Sequence, residues 1–389
     1  MVRKYNVVVV GLGIIGSASL WRLSHSSSNV LGIDAGAPIN LSGSSHGASR
    51  IFRQAYWEGE AYLPLLSLSG DLWRELENTC DRRLIVETGG LFVGPVASGV
   101  VRQSVDTARR GNIKHKVLSD TEITRSFPAF QVQAGMEAVY EAGAFTIAAD
   151  DSKCHMLNVA VRQGAELRFG ASVVSIVRSS KGLTLRLSDG VLIHANRVVL
   201  ATGLGMSTDL ISDLSGLIQP KSVPVYWFKP KLNNDLNFAG GFPAFLYQLP
   251  DGRLLYGTPH IGSEESGIKI GFHNHQQSIF EPEIHRQAVE ESCVDEISAC
   301  VEQVFPGLNS TPYAHRKCIY TMSCDGSFIV GESVHFPGVF YASACSGHGF
   351  KFATGLGDTL AKAALSGVLD ESVAIFSAKR FIESSPLYL

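Results

Sequence analysis

Val7-Val8-Val9-Val10-Gly11-Leu12-Gly13-Ile14-Ile15-Gly16, with Asp34 closing the next apolar run Val30-Leu31-Gly32-Ile33, is the stretch that decides the fold. Four β-branched residues ahead of a glycine turn predict a buried strand that runs into a helix. Gly11 permits the tight turn, Gly13 lets the backbone approach a pyrophosphate, and Gly16 lets the helix pack closely on the strand. The helix N–H groups and dipole, at Ile14 and Ile15, then hold phosphate charge. Asp34 stands eighteen residues beyond Gly16, close to the roughly 20 expected of a carboxylate that binds an adenosine ribose 2′-hydroxyl. Such a carboxylate disfavours a 2′-phosphate, hence NADP. The unit predicts a dinucleotide site and leaves NAD and FAD both open.

Composition narrows the partners. A chain of 389 residues exceeds what one hydrophobic core usually fills, so two domains are expected. The 33 basic and 36 acidic residues give a net charge of −3, which supplies no field for nucleic acid or an anionic membrane. A small molecule is the expected partner. The apolar runs are too short to span a bilayer and the first belongs to the glycine-turn unit, so a soluble, cytoplasmic protein is expected. Seven cysteines, at 80, 154, 293, 300, 318, 324 and 345, form no CxxC pair and predict free thiols. His273 and His275 lack zinc-spaced companions, and no metal is expected.

Further along, Gly43 to Arg50 is rich in small polar residues and predicts a loop, while Leu65, Leu72, Trp73 and Leu76 predict a core helix. Residues 172–195 read as an antiparallel meander turning at Asp189-Gly190, followed by a buried strand from Arg197 to Gly203. That order favours FAD over NAD. A second hairpin, Phe245–Leu249 and Arg253–Tyr256 around Pro250-Asp251-Gly252, is assigned to another sheet. Ala353, Leu356, Leu360, Ala361 and Ala364 follow a helical period.

Four motifs carry a family resemblance. They are Gly43-Ser-Ser-His46-Gly-Ala-Ser-Arg50-Ile-Phe-Arg53-Gln-Ala-Tyr56-Trp-Glu-Gly-Glu, Gly267-Ile-Lys269-Ile-Gly-Phe-His273, Cys318-Ile-Tyr320-Thr-Met with Asp325-Gly-Ser-Phe-Ile-Val, and Ser346-Gly-His-Gly-Phe-Lys351-Phe. In this order they resemble the monomeric sarcosine oxidase and N-methyltryptophan oxidase family of D-amino-acid-oxidase-like flavoproteins. The resemblance implies an FAD bonded through its 8α-methyl group to Cys318. It implies that Arg53 and Lys351 clamp a substrate carboxylate, which orients the carbon beside nitrogen over the flavin. Arg50 and His46 match residues at the flavin ring, where a cation would stabilise charge on N1 and O2. Lys269 matches the lysine of oxygen activation, and His273, Tyr256 and Tyr320 match residues on the substrate amine side. Ser44, Val173, Gly203, Gly347, His348, Gly349 and Phe350 fall in the cofactor shell, with the following helix aimed at the flavin pyrimidine. Cys345 stands where an aromatic residue is usual; Ala48, Gln54 and the Ile261-to-Gly267 loop also depart.

The expected architecture is α/β. A Rossmann-like FAD-binding domain, a parallel sheet plus β-meander (1–83, 146–220, 318–389), is interleaved with an α+β substrate domain on a mostly antiparallel sheet (84–145, 221–317). The implied activity is oxidation of secondary or N-methyl amino acids. Hydride passes to flavin N5, the imine hydrolyses, and O2 becomes H2O2. Cyclic imino acids of the pipecolate kind, glycated amino acids, and a non-catalytic FAD-binding subunit are the alternatives. A monomer is expected.

Overall fold

The computed structural model describes residues 3–27, 29–40, 43–96, 98–179, 182–207, 210–232, 242–261, 267–343 and 346–383. The departures noted at Cys345 and within 262–266 lie outside them.

The valine run becomes β1 (Lys4–Val10), the centre of a first, eight-stranded sheet. It lies parallel to β2 (Val30–Ile33) on one side and to β12 (Leu192–Leu200) on the other. Beyond β2 lies β9 (Glu166–Arg168); beyond the end of β12 lies β20 (Val339–Ser343), which carries antiparallel β19 (Ile329–Glu332). All four valines are buried because the sheet is covered twice. Val7 and Val9 pack in one core with α1 (Ile14–Ser24), α5 (Ala149–Arg162) and α8 (Ala353–Ser366). Val8 and Val10 pack in another with Leu183 and Leu185 of the meander.

The meander is β10 (Val173–Ser179), β11 (Gly182–Leu187) and the first half of β12. The sequence divides β12 into a meander strand and a separate buried strand; the structure joins them. Its residues 192–195 pair with β11, and Val198–Leu200 pair with β20, so one strand couples the two parts of the sheet.

A second sheet of nine strands follows the order β17 (Ser278–Ile279), β13 (Ile218–Phe228), β16 (Ile268–Phe272), β15 (Leu254–Thr258), β14 (Ala244–Gln248), β5 (Gly90–Pro95), β7 (Met136–Glu141), β6 (Lys116–Ser119), with β18 (Ala314–Ser323) on β13. Every pairing is antiparallel except β14 with β5. Residues of α4 (Asp120–Ser126) and α7 (Glu291–Val304) close one core of this sheet, and α3 (Gly99–Arg110) packs on another. A small sheet, β3 (Ser49–Phe52), β8 (Phe145–Ala148) and β4 (Ile85–Val86), bridges to the helix α2 (Leu63–Glu77) that the sequence predicts. Short α6 (Pro282–His285) and α9 (Lys379–Glu383) complete the chain. Ser49 and Arg50 therefore lie on a strand rather than in the expected loop, because β8 supplies a ladder partner from a hundred residues away. Among the described residues no helix is long and apolar enough to cross a membrane.

Two glycine contacts set the first sheet's geometry. A Cβ on Gly16 would stand 1.8 Å from the Gly11 carbonyl oxygen, so α1 can leave β1 only with glycine there. A Cβ on Gly357 would meet the Ala18 Cβ at 2.5 Å, which is how closely α8 crosses α1. Gly357→Leu should force these helices apart and cost about 3 kcal/mol of overpacking strain, read as a lower urea midpoint; an unchanged midpoint would refute the close crossing.

Candidate active site

Strand register builds the site. On β18, Arg316, Cys318 and Tyr320 share one face, since successive side chains alternate. Arg316 pairs with Val225 and Trp227 pairs with Lys269; Lys269 in turn faces Thr258, and Gly271 faces Tyr256. These residues put one face of the second sheet into a cavity of about 860 Å³ whose opposite walls are the glycine turn, the 43–50 segment and the 347–351 turn. All the cofactor and substrate residues expected from the sequence line it, except Gly16, which packs beneath the turn.

At one end, Gly11 adopts φ +88°, and a side chain there would strike the Ala201 carbonyl at 2.6 Å. Asp34 accepts the Leu12 N–H at 2.6 Å and the Gly36 N–H at 2.7 Å, holding the turn while its carboxylate faces the cavity. Ser45 accepts the Ile14 N–H at 3.0 Å, which joins the 43–50 segment to the start of α1. Gly13, Ile15, Ser44, Val173 and Gly203 line the cavity between this end and the second sheet's face.

Arg50 donates to the carbonyls of Ser49 (2.8 Å), Ser44 (3.1 Å) and His46 (2.7 Å), and its guanidinium lies 5.2 Å from the Phe350 ring centre. It is thereby fixed as a charge. His46 is different. Burial, then the charges of Arg50, Arg316, Lys153 and Lys269, push its pKa down to about 3. The expectation of a cation at His46 is corrected: it is a neutral imidazole, and Arg50 alone of the two carries charge.

Lys269 is buried on β16 and donates to the Ser49 carbonyl at 2.5 Å, while Ser49 and Thr258 share a hydrogen bond of 2.7 Å. Burial pushes the Tyr256 hydroxyl up to about 12. His273 is held at about 4, chiefly by burial, so it too is neutral.

Arg53 is not an open clamp. Its Nη2 donates to both carboxylate oxygens of Glu58, at 2.7 and 2.9 Å, and Nη1 donates to the Ala55 carbonyl. Burial raises the Glu58 pKa, but Arg53 with His348, Lys351 and His273 outweighs it and leaves the carboxyl at about 2. Lys351 donates to the His348 carbonyl at 2.6 Å and sits 4.8 Å from the Tyr56 ring centre. Burial first, then Arg53, bring its pKa down to about 7.

A tight turn presents Lys351. Ser346 (φ +37°) and Gly347 (φ +78°) are both left-handed, and a Cβ on Gly347 would come within 2.7 Å of the Tyr320 ring. His348 Nε2 faces the Gly326 carbonyl at 3.0 Å, which makes it the protonated nitrogen, so Nδ1 accepts from the Tyr56 hydroxyl at 2.5 Å. A short 3₁₀ turn at 350–352, after Gly349, separates this turn from α8.

The residues fit an FAD. Buried Ser44 Oγ, His46 Nδ1 and Thr202 Oγ1 line the cavity with no hydrogen-bond partner among the described residues, as expected of atoms that meet a polar ligand. Four residues escaped the sequence reading. Glu58 and Glu141 belong to the anchoring of Arg53, and Lys153 and Arg316 line the cavity. Glu58 stands inside the quoted 43–60 motif, and Lys153 leaves a signal as a lysine on the buried period of α5.

Comparison with known proteins agrees with this geometry. The family model described as FAD dependent oxidoreductase (DAO) matches residues 6–363. Monomeric sarcosine oxidase of Streptomyces avermitilis is 30% identical over 381 residues, 98% of each chain. N-methyl-L-tryptophan oxidase of Salmonella dublin is 28% identical over 97% of this chain and 99% of its own. Among solved structures, the Tyr258Phe mutant of NikD, described as an unusual amino acid oxidase, superimposes with a TM-score of 0.82 at 22% identity, covering 96% of this chain and 97% of its own. The glycine turn, the cavity and these matches lead to one conclusion: the chain belongs to the DAO family of FAD-dependent oxidoreductases.

Proposed function

We propose that the protein oxidises secondary or N-methyl amino acids at the carbon beside nitrogen, with O2 as acceptor. The observation that carries this reading is the pair of buried cations, Arg53 and Lys351, at the wall of the cofactor cavity. A carboxylate is what such a pair recognises. FAD, when bound, supplies the two-electron acceptor and returns the electrons to O2.

The chain's own residues bind and orient. Glu58 occupies Arg53 in the resting protein, so a substrate carboxylate must share or replace it. Tyr256, Tyr320 and neutral His273 border the space beside that site and suit the uncharged, apolar surroundings of an N-methyl or cyclic amine. Lys269, whose ammonium donates to the Ser49 carbonyl, offers positive charge to the anion that forms as oxygen accepts its first electron. Arg50, fixed by three carbonyls, offers a second positive charge to the reduced ring. Cys318 is the proposed thiol of the covalent flavin bond. The interleaved domain division, a monomeric state and a cytoplasmic setting belong to the same reading.

A peroxide-coupled screen of N-methyl, cyclic and glycated amino acids tests the proposal directly. Turnover of an N-methyl or cyclic amino acid is expected, and no peroxide from any would overturn it in favour of passive FAD binding. After acid precipitation, yellow colour should stay in the parent pellet and leave the Cys318→Ser pellet; colour retained by the variant would refute the thiol assignment.

Lys351 gives a pH signature. Its pKa is lowered to about 7, so in the free protein it is charged below that pH and neutral above it. Substrate capture should therefore fall as pH rises through about 7, seen as a descending arm in kcat/KM. Lys351→Arg keeps its charge and should lose that arm. Superimposable profiles would exclude Lys351 from the clamp.

A further inference from the structure

Helix α5 buries Ala149, Ser152, Lys153, Met156, Leu157, Val159 and Ala160, the face that packs beside α1. A lysine in that row is out of keeping with its neighbours. Its residue is 2% exposed, and among the described residues its ammonium has no hydrogen-bond or ion-pair partner. An ammonium buried in that condition is costly unless something anionic meets it. Lys153 lines the cofactor cavity, so the cavity is where that anion would lie.

The topology fixes which part of the cavity. Helices α1 and α5 precede parallel strands β2 and β9, so they run side by side in the same direction. Their C-terminal ends are joined where Ser24 Oγ donates to Gln163 Oε1 at 2.6 Å. Ten residues back from that bond are Ile14 and Lys153. At about 1.5 Å of rise per residue, Lys153 stands level with the first turn of α1. That turn follows Gly11-Leu12-Gly13, and a helix N-terminus of this kind favours a pyrophosphate. The 44–47 segment closes the same corner: Ser45 accepts from Ile14, and Gly47 donates to Asp150 Oδ2 on the first turn of α5 at 2.9 Å. Burial and then the charges of Arg50, Arg316 and Lys153 keep His46 unprotonated, which puts the ammonium near this segment.

The geometry points to Lys153 as a ligand of the FAD pyrophosphate, a cation added to the glycine turn's own N–H groups. Among the described residues, it is the cation lining the cavity that is carried by a helix of the α1 layer. The inference rests on the family's FAD and is independent of which amino acid is oxidised.

The test needs no turnover. In a Cys318→Ser background, where flavin exchange is reversible, apoprotein is titrated with FAD and with ADP, which keeps the pyrophosphate and lacks the flavin. Lys153→Met should weaken both ligands roughly 10- to 100-fold, as losing a charge-assisted contact does, and should flatten the salt dependence. Lys153→Arg should recover most of the affinity. Unchanged binding of both ligands overturns the proposal. So does a loss confined to FAD with ADP unaffected, which would move Lys153 to the ring. Thermal melting guards against a folding artefact: removing an unpaired ammonium should leave the Lys153→Met apoprotein at least as stable as the parent, with a smaller gain on adding FAD. A lower apo melting temperature would make Lys153 part of the structural core and overturn the assignment.

Discussion

The cavity gathers buried cationic side chains on its walls, and the rest of the structure is arranged around that constraint. Arg53, Lys153, Lys269 and Lys351 are each 6% exposed or less, and Glu58 pairs with Arg53 across a short contact. Burying cations costs free energy that the fold must supply. A dinucleotide, with its two phosphate charges, is an anion of the kind that offsets it. Ligand binding is in this sense a completion of the core.

Such charges are useful only when held still, and two further carboxylates hold them. Glu141, at the end of β7, accepts the Gln54 N–H at 3.0 Å and the Ala55 N–H at 2.9 Å. Burial nonetheless raises its pKa, so each bond offsets a desolvation penalty. It ties the backbone after Arg53 to the second sheet. Asp150 does the same for Gly47 from the helix layer of the first. The segment that carries His46, Arg50, Arg53 and Glu58 is thus pinned at both ends by acids from opposite sides of the cavity. Loss of the Glu141 support would release the backbone that follows Arg53.

The elements with a clear period were legible in the sequence. The glycine turn, the meander, the 245–256 hairpin, α2 and α8 each follow from local chemistry, and the motif residues do converge on one cavity. Features that depend on distant partners were not legible. Strand β3 exists because β8 lies beside it, and β12 runs unbroken because β11 serves its first half and β20 its second. Charge states were hidden for the same reason. His46 looks like a possible cation until three cationic neighbours from separate strands and helices, besides Arg50, are placed around it. Arg53 looks like an open clamp until Glu58, only five residues on, folds back onto it.

Lys351 shows how stability and binding pull in opposite directions at such a site. In the unfolded chain a lysine keeps its proton to about pH 10.4. In the fold it gives the proton up at about 7, because burial and Arg53 both oppose its charge. Between those two values the unfolded state binds more protons, so the contribution of Lys351 to stability rises with pH. In the proposed clamp, carboxylate capture would change the other way, since it would need the ammonium. A carboxylate bound in that clamp would resolve the conflict by raising the lysine's pKa, since an opposite charge favours the ammonium. Proton uptake would then be part of the proposed binding equilibrium and would tie substrate affinity to pH without any additional titrating group.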